Sequence, residues 1–421
     1  MQQLKIESRP YRMHNRIMHY AWGMRGRDAF IPRLLNIEPD PDVPYAELWM
    51  GVHPNAPSEI ELPDGRRLPL NTWLAQAPDL TLGPKIAHSF GELPFLFKVL
   101  SAAEPLSIQA HPNKAQAVWL HERDPEHYPD PNHKPEIAVA IDELTALMGF
   151  KPLAQLQETL QSYPEISTFI GKEQVAAFLE ASPKDAASQR QIVWDLFARL
   201  IHRAHQEPGE LQQAVDALVE RLTNTFEGLI EVELRFLDLQ EKYGSRDVGL
   251  FVLFLLNLVH LGPGEGLFLP AGVPHAYLHG NIIECMANSD NVVRVGLTPK
   301  FKDAETLLEI VDTTPGTPAV IRGEEYFQSK AGVIFVDYQV PVSEFRVRRW
   351  ALTGGAEVTV DKRERPAILL VIDGTIELYW GSEHQPYHRG DALFLPACLE
   401  CYNIHATGGA ELFQAEVPLP R

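Results

Sequence analysis

Gly264-Glu265-Gly266-Leu267-Phe268-Leu269-Pro270-Ala271 is answered near the C-terminus by Gly390-Asp391-Ala392-Leu393-Phe394-Leu395-Pro396-Ala397. Six of the eight positions are identical, and their order and spacing favour duplication over chance. A glycine, an acid and a bulky apolar run ending at Pro-Ala describe the turn, strand and turn of a small antiparallel barrel. Two copies predict two related barrels. Between the pieces of the first lies a stretch of different character. Gln155–Gln161, Gln174–Glu180, Ile192–His205, Glu210–Glu220 and Leu229–Lys242 carry apolar residues at helical spacing, separated by Pro164, Pro183, Pro208-Gly209 and Gly244. The expected fold is mainly β with an α-helical insertion. Residues 1–150 and 251–320 would form the first barrel, 151–250 a helical domain and 321–421 the second barrel.

The two copies diverge where chemistry would sit. Five residues past the proline the first copy has His275 and the second Cys401; Gly272 in the first answers Cys398 in the second. The first barrel therefore reads as equipped for a ligand and the second as a metal-free structural partner. Cys398-x-x-Cys401 resembles half a zinc knuckle or a redox pair. With no second pair nearby, both are expected to be buried core cysteines.

Leu106-Ser107-Ile108-Gln109-Ala110-His111 reads as a strand, which puts Ser107, Gln109 and His111 on one face. Such a polar row suits a cavity rather than an apolar core. In His133-Lys134-Pro135-Glu136-Ile137-Ala138-Val139, alternation suggests a second strand with Lys134 and Glu136 on one side. The turn Pro270–Pro274 presents His275 from a third. Gln109, His111, Glu136 and His275 together form a two-nitrogen, two-oxygen set suited to Zn²⁺ with a position left open. His202 and His205, three apart on a predicted helix, read instead as a solvated face. Arg294 lies in the apolar run Val292–Leu297, and a buried arginine is rare unless it is paired or binds an anion. With Ser289 and Lys300 it could clamp a phosphate; a salt bridge to Asp290 or Glu284 is the alternative.

The chain has 421 residues, with 37 basic and 56 acidic side chains and a net charge of −19. An acidic chain is a poor partner for nucleic acid or an anionic membrane. Hydrophobic residues make up 45% and charged ones 22%, as in a globular protein and unlike a disordered one. Met1–Pro10 is too polar for a signal peptide. The longest apolar run, Val248–Leu261, is too short to span a bilayer and reads as a buried helix or strand. Three cysteines do not build a disulfide framework, so a cytoplasmic location is expected.

Tyr20–Gly23, Ala46–Pro54, Pro94–Leu100, Ser107–Pro112, His133–Glu136 and the segment from Gly264 to Lys302 resemble, in order, the signatures of type I mannose-6-phosphate isomerases (phosphomannose isomerases). The resemblance runs from about residue 11 to the end. Asn288 departs from it, standing where relatives often have a small residue or cysteine. The resemblance implies a two-cupin enzyme with a helical domain and one zinc per subunit. It implies interconversion of mannose 6-phosphate and fructose 6-phosphate through a cis-enediol, linking glycolysis to mannose supply for GDP-mannose. A monomer is expected. The family's zinc ligands fall on Gln109, His111, Glu136 and His275, and its catalytic arginine on Arg294. Other active-site positions match Trp22, Glu47, Lys98, Ser107, Lys134, Tyr277, Glu284, Asp290 and Lys300. Candidates for the C1/C2 proton transfer are a hydroxide held by the metal, Glu284, or His133 assisted by Lys134. Arg294 suits holding the enediolate or phosphate better than acting as the base. Lys98, Ser107, Lys134 and Lys300 are the candidate phosphate clamp. A cupin oxygenase would use Fe²⁺ and usually more histidines, and a non-catalytic double-cupin protein would need no buried Arg–Lys cluster; the lysines, Arg294 and Gln109 fit a phosphosugar better.

Overall fold

The computed structural model describes residues 5–225, 228–322, 324–327 and 332–418. The first four residues of the polar stretch Met1–Pro10 lie outside this set. Among the described residues there are thirteen α-helices and two antiparallel sheets, of nine and eleven strands. The expectation of a mainly β chain is corrected to a mixed α and β one. Helices occur outside the insertion, at Phe30–Leu35, Leu70–Leu74, Pro78–Thr81, Pro84–Phe90 and Lys114–Arg123. Most span only one or two turns, too short to leave a helical period in the sequence.

Five of the predicted helices appear, as Leu153–Ser162, Lys172–Glu180, Ala186–Gln206, Pro208–Thr223 and Glu231–Tyr243. A sixth, Pro164–Ile170, begins at the proline read as a breaker. In the first turn of a helix, the missing N–H of proline costs nothing. The apolar run Val248–Leu261 divides into the helix Gly249–Leu255 and the strand Leu256–Leu261. Both are buried in part or whole, so an apolar run alone does not distinguish them. No helix among the described residues is long and apolar enough to cross a membrane.

The two sheets share one plan. In the nine-stranded sheet the order is Gly266–Leu269, Glu136–Phe150, His275–Ala287, Phe95–Ala102, Glu47–Gly51, Arg16–Met18. In the other it is Ala392–Leu395, Ala367–Trp380, Cys401–Glu416, Arg346–Leu352, Val333–Tyr338, Glu324–Phe327. The echoed octapeptides supply the same strand of each. The eleven-stranded sheet is extended by Tyr11–His14, Glu59–Glu61 and Arg67–Pro69, so segment 1–150 is not confined to one sheet.

Alternation along the strands sorts their side chains. Phe97, Val99, Ile137, Val139, Ile283 and Cys285 pack against Val347, Ile368, Leu370, Phe394 and Phe413 in a core between the sheets. Lys98, Glu136 and Glu284 therefore point to the opposite face. The helical insertion packs on Ile108, Leu147, Leu278, Val293 and Val295. Cys398 is half-buried and Cys401 exposed, which corrects the expectation of core cysteines. Cys401 opens its strand facing outward, while neighbouring Tyr402 fills the core.

His133 Nε2, just before the strand Glu136–Phe150, lies 2.8 Å from Glu344 Oε1, just before the strand Arg346–Leu352 of the larger sheet, so this pair ties the two sheets together. Burial alone would raise the Glu344 carboxyl, but the hydrogen bond and charge of His133 outweigh it and bring it down to about 2. A carboxyl lowered on folding contributes stability above its unfolded value, about 4.5, and loses it as pH falls toward the folded value. The difference in urea stability between the wild type and Glu344→Gln should therefore be fully present above about pH 5 and shrink on acidification below about pH 4.5. A difference that stays constant over that range would count against the pair.

Candidate active site

The short strand Ile108–Ala110 lies between His275–Ala287 and Val293–Gly296. Gln109 is directly opposite His275 on one side and Arg294 on the other. Directly opposed residues of an antiparallel pair share a face, so these three side chains form one row. His111 follows on the way to the helix Lys114–Arg123. That helix starts at a capping box in which Asn113 accepts from the Gln116 N–H and the Gln116 side chain accepts from the Asn113 N–H. Gly272 donates to the His111 carbonyl at 2.8 Å. Its φ is +80°, and a Cβ there would stand 2.6 Å from the Ile310 carbonyl oxygen, so only glycine fits.

His111, Glu136 and His275 are at most 2% exposed, and their ligand atoms lie within 4.8 Å of one another. His111 Nε2 is 3.6 Å from Glu136 Oε1, and His275 Nε2 is 3.5 Å from Glu136 Oε2. Nδ1 of His111 is 2.8 Å from the Asn291 carbonyl oxygen and Nδ1 of His275 is 2.8 Å from that of Val273. Each Nδ1–H thus has an acceptor, and each Nε2 lone pair is left facing the carboxylate. Both Nε2 atoms and Glu136 Oε2 are buried without a hydrogen-bond partner. Orphaned polar atoms are costly, and three converging ones need a cation. Burial lowers His111 to about 4, against the pull of Glu136, which keeps the imidazole neutral. Burial would raise the Glu136 carboxyl, but Lys134, His111 and His275 outweigh it and hold it well below its ordinary value. With the Gln109 amide beside them, these residues fit a divalent ion such as Zn²⁺.

Beside the trio, a cavity of about 1050 Å³ opens between the nine-stranded sheet and the helical insertion. Trp22, Glu47, Lys98, Ser107, Gln109, Lys134, Asp290, Arg294 and Lys300, all expected at the site, line it. The lining carries seven basic side chains (Lys98, Lys134, Lys242, Arg246, Arg294, Lys300 and Lys302) against four acidic ones (Glu47, Glu104, Asp247 and Asp290). The excess of positive charge is local, on a chain of net charge −19. The salt bridge considered for Arg294 is not formed. No carboxylate among the described residues pairs with it, and burial lowers its guanidinium.

On the wall, Lys98 Nζ lies 3.0 Å from Oε2 of Glu284 behind it, 3.5 Å from Glu47 Oε2 and 5.1 Å from the centre of the Trp49 ring. Burial would lower the Lys98 ammonium, but Glu284 and Glu47 raise it well above its ordinary value. Tyr277 donates to Glu284 Oε1 at 3.1 Å and is itself off the cavity wall. Burial raises the Glu284 carboxyl, only partly offset by Lys98. His133 also lies off the wall, engaged by Glu344. His202 and His205 are exposed, as a solvated face requires.

Sequence reasoning missed the insertion's own contribution to the wall: Lys242, Tyr243, Arg246 and Asp247. It also missed His53, whose Nε2 is 3.3 Å from Asp290 Oδ1. The only local signal for the first group was the cluster of charges after the breaker Gly244. In the larger sheet, Ala367 occupies the register place of Glu136, opposite the echoed leucine, and Cys401 that of His275. Alanine offers no ligand atom.

A family model described as phosphomannose isomerase type I, catalytic domain, matches residues 11–153. Mannose-6-phosphate isomerase 2 of Arabidopsis thaliana is 37% identical over 412 residues, covering 94% of this chain and 90% of that protein. Mannose-6-phosphate isomerase of Homo sapiens is 37% identical over 400 residues, covering 90% and 92%. Among solved structures, a zinc-bound mannose 6-phosphate isomerase superposes with a TM-score of 0.82 at 31% identity, covering 97% of this chain and all of that one. A single-site mutant of phosphomannose isomerase from Salmonella typhimurium gives 0.84 at 31% identity over the same shares. A shared fold, an ordered set of motifs and this identity over nine-tenths of the length lead to one conclusion: the chain belongs to the type I phosphomannose isomerase family.

Proposed function

We propose that this chain is a zinc-dependent aldose–ketose isomerase that interconverts D-mannose 6-phosphate and D-fructose 6-phosphate. The observation that carries the reading is the trio of orphaned, buried ligand atoms of His111, Glu136 and His275 beside a cavity with a surplus of cations. Gln109 would complete the set that holds the ion. Bound there, Zn²⁺ would supply Lewis-acid stabilisation of charge developing on the sugar oxygens.

The chain's own residues divide the remaining work. Lys300, Arg294 and Ser107 hold the phosphate and the reacting end of the sugar in register, so that remote binding energy positions the reacting carbons. Lys98, kept as an ammonium by Glu284 and Glu47, contributes fixed positive charge without having to reorganise. Glu284, its carboxyl raised by burial behind Lys98, is the candidate to take the proton from C2 and return it at C1, and Lys134, on the wall, can donate a hydrogen bond to the sugar oxygens. His133 is set aside because Glu344 engages its imidazole. Trp22, Glu47 and Asp290 shape the rest of the sugar pocket, and Tyr277 acts from behind through Glu284. Each sheet is read as a cupin-type jelly roll; the common strand order supports this. The first roll would draw on 1–150 and 251–320 and the second on 321–421, with 151–250 between them and three strands of 1–150 lent to the second sheet. A cytoplasmic location, supported by three free cysteines, and a monomeric state are both part of the reading.

A coupled assay should show conversion of mannose 6-phosphate to fructose 6-phosphate. Treatment with a chelator should abolish it, and added Zn²⁺ should restore it. Full turnover by verified metal-free protein would remove the metal from the mechanism. Arg294→Ala should lower kcat by roughly 100-fold or more while KM changes far less, since the arginine acts on charge that develops in the transition state. A change confined to KM would reduce Arg294 to a binding contact.

A further inference from the structure

Asp247 is 5% exposed and sits where the helical insertion meets the cavity, one residue after Arg246 and two before the helix Gly249–Leu255. Its Oδ1 accepts from the Gly249 N–H at 2.8 Å and from the Leu297 N–H at 2.8 Å. Its Oδ2 lies 3.4 Å from the Thr298 nitrogen and 3.3 Å from Lys302 Nζ. One carboxylate thus gathers the start of a helix in the insertion and the end of the strand Val293–Gly296, which carries Arg294.

The chain there is under constraint. Leu297 has φ of +57°, a left-handed conformation that costs free energy for a side chain bearing a Cβ. Leu297 is 1% exposed and packs in the core shared by the insertion and the strand, so it cannot relax without leaving that core. The two backbones touch through glycines. A Cβ on Gly296 would stand 2.5 Å from the Gly249 Cα and from Asp247 Oδ1, and one on Gly249 would stand 2.7 Å from the Leu297 nitrogen. Beyond the turn, Thr298, Pro299, Lys300 and Lys302 all line the cavity. None of the roles expected from the sequence uses Asp247.

We infer that Asp247 is a positioning residue: by holding the left-handed turn at Leu297 against the insertion, it sets where Arg294 and Lys300 stand in the cavity. Its kinetic consequence rests on the isomerase reading above. Because it acts on two substrate-facing cations at once, its loss should raise KM and lower kcat together. A purely structural carboxylate would lower thermal stability and leave both unchanged.

The test compares the wild-type holoenzyme with Asp247→Ala and Asp247→Asn in turnover of mannose 6-phosphate, with amide hydrogen exchange on the same samples. Asp247→Ala should lower kcat/KM about 100-fold through both constants. Asp247→Asn keeps an oxygen for the Gly249 and Leu297 amides and should recover to within about tenfold of the wild type. Exchange at Leu297 and Thr298 should accelerate in Asp247→Ala and not in the strand Phe95–Ala102. If Asp247→Ala does not fold, Asp247→Ser, whose shorter side chain cannot span both amides, should show the same losses. A folded alanine or serine variant with unchanged kcat and KM, or with the Leu297 amide still protected, overturns the inference. An inactive wild type defeats the isomerase reading instead, and the exchange result then decides the positioning role alone.

Discussion

A carboxylate buried at 2% exposure between two imidazoles, Glu136, is what the rest of the site is arranged around. An ionised carboxyl taken out of water costs several kcal/mol unless opposite charge and hydrogen bonds replace the solvent. Lys134, 3.2 Å away, supplies part of that charge, and the remainder is the opening left between Glu136 Oε2 and the two Nε2 atoms. The same accounting explains Lys98. Its ammonium is tolerable in the sheet because Glu284 and Glu47 face it, and Glu284 in turn receives the Tyr277 hydroxyl. Buried charge of one sign calls in the other, until the sheet face is a connected polar layer that opens onto a cationic cavity.

That layer is possible because the opposite face of the sheet does the stabilising. Phe97, Val99, Ile283 and Cys285 alternate with Leu96, Lys98, Glu284 and Met286 along their strands, and they pack on the second sheet. The duplicated sheet thus relieves the first of the need to be apolar on both sides. It also shows what happens without a ligand set. Gln414, the register counterpart of Glu284, is buried and receives the Tyr402 hydroxyl, while Glu416 is neutralised by Arg348 and Arg365. Charges in that sheet are closed among themselves, whereas those of the first sheet remain open toward an ion and a substrate.

The readable parts of the chain are those where a local rule coincides with the tertiary answer. The candidate metal set was proposed because a strand alternates, so Gln-x-His puts two side chains on one face, and the structure gathers three of its four members, His111, Glu136 and His275. Breakers and helical spacing located the insertion. Legibility failed where two environments give the same pattern. Val248–Leu261 is apolar apart from Asn257 and His260, and such a run suits a buried helix turn and a strand equally. Cys401 follows a strand-like echo, but a strand end exposes alternate residues, and this one faces solvent. His133 stands beside Lys134 in sequence, yet a partner 211 residues away engages its imidazole off the wall.

Residue order by itself determined the duplication, the position of the helical insertion, the four candidate ligands and the family motifs, because each is a matter of spacing along one strand or one turn. Only the tertiary structure decided which charges are paired and which are left over. It brought Asp247 from the insertion to the end of the Arg294 strand, freed Arg294 from the carboxylates near it in sequence, and turned Nε2 of His111 and His275 toward one carboxylate. Pairing depends on distances across the fold and on the exclusion of water, and neither is encoded in the spacing of neighbours along the chain.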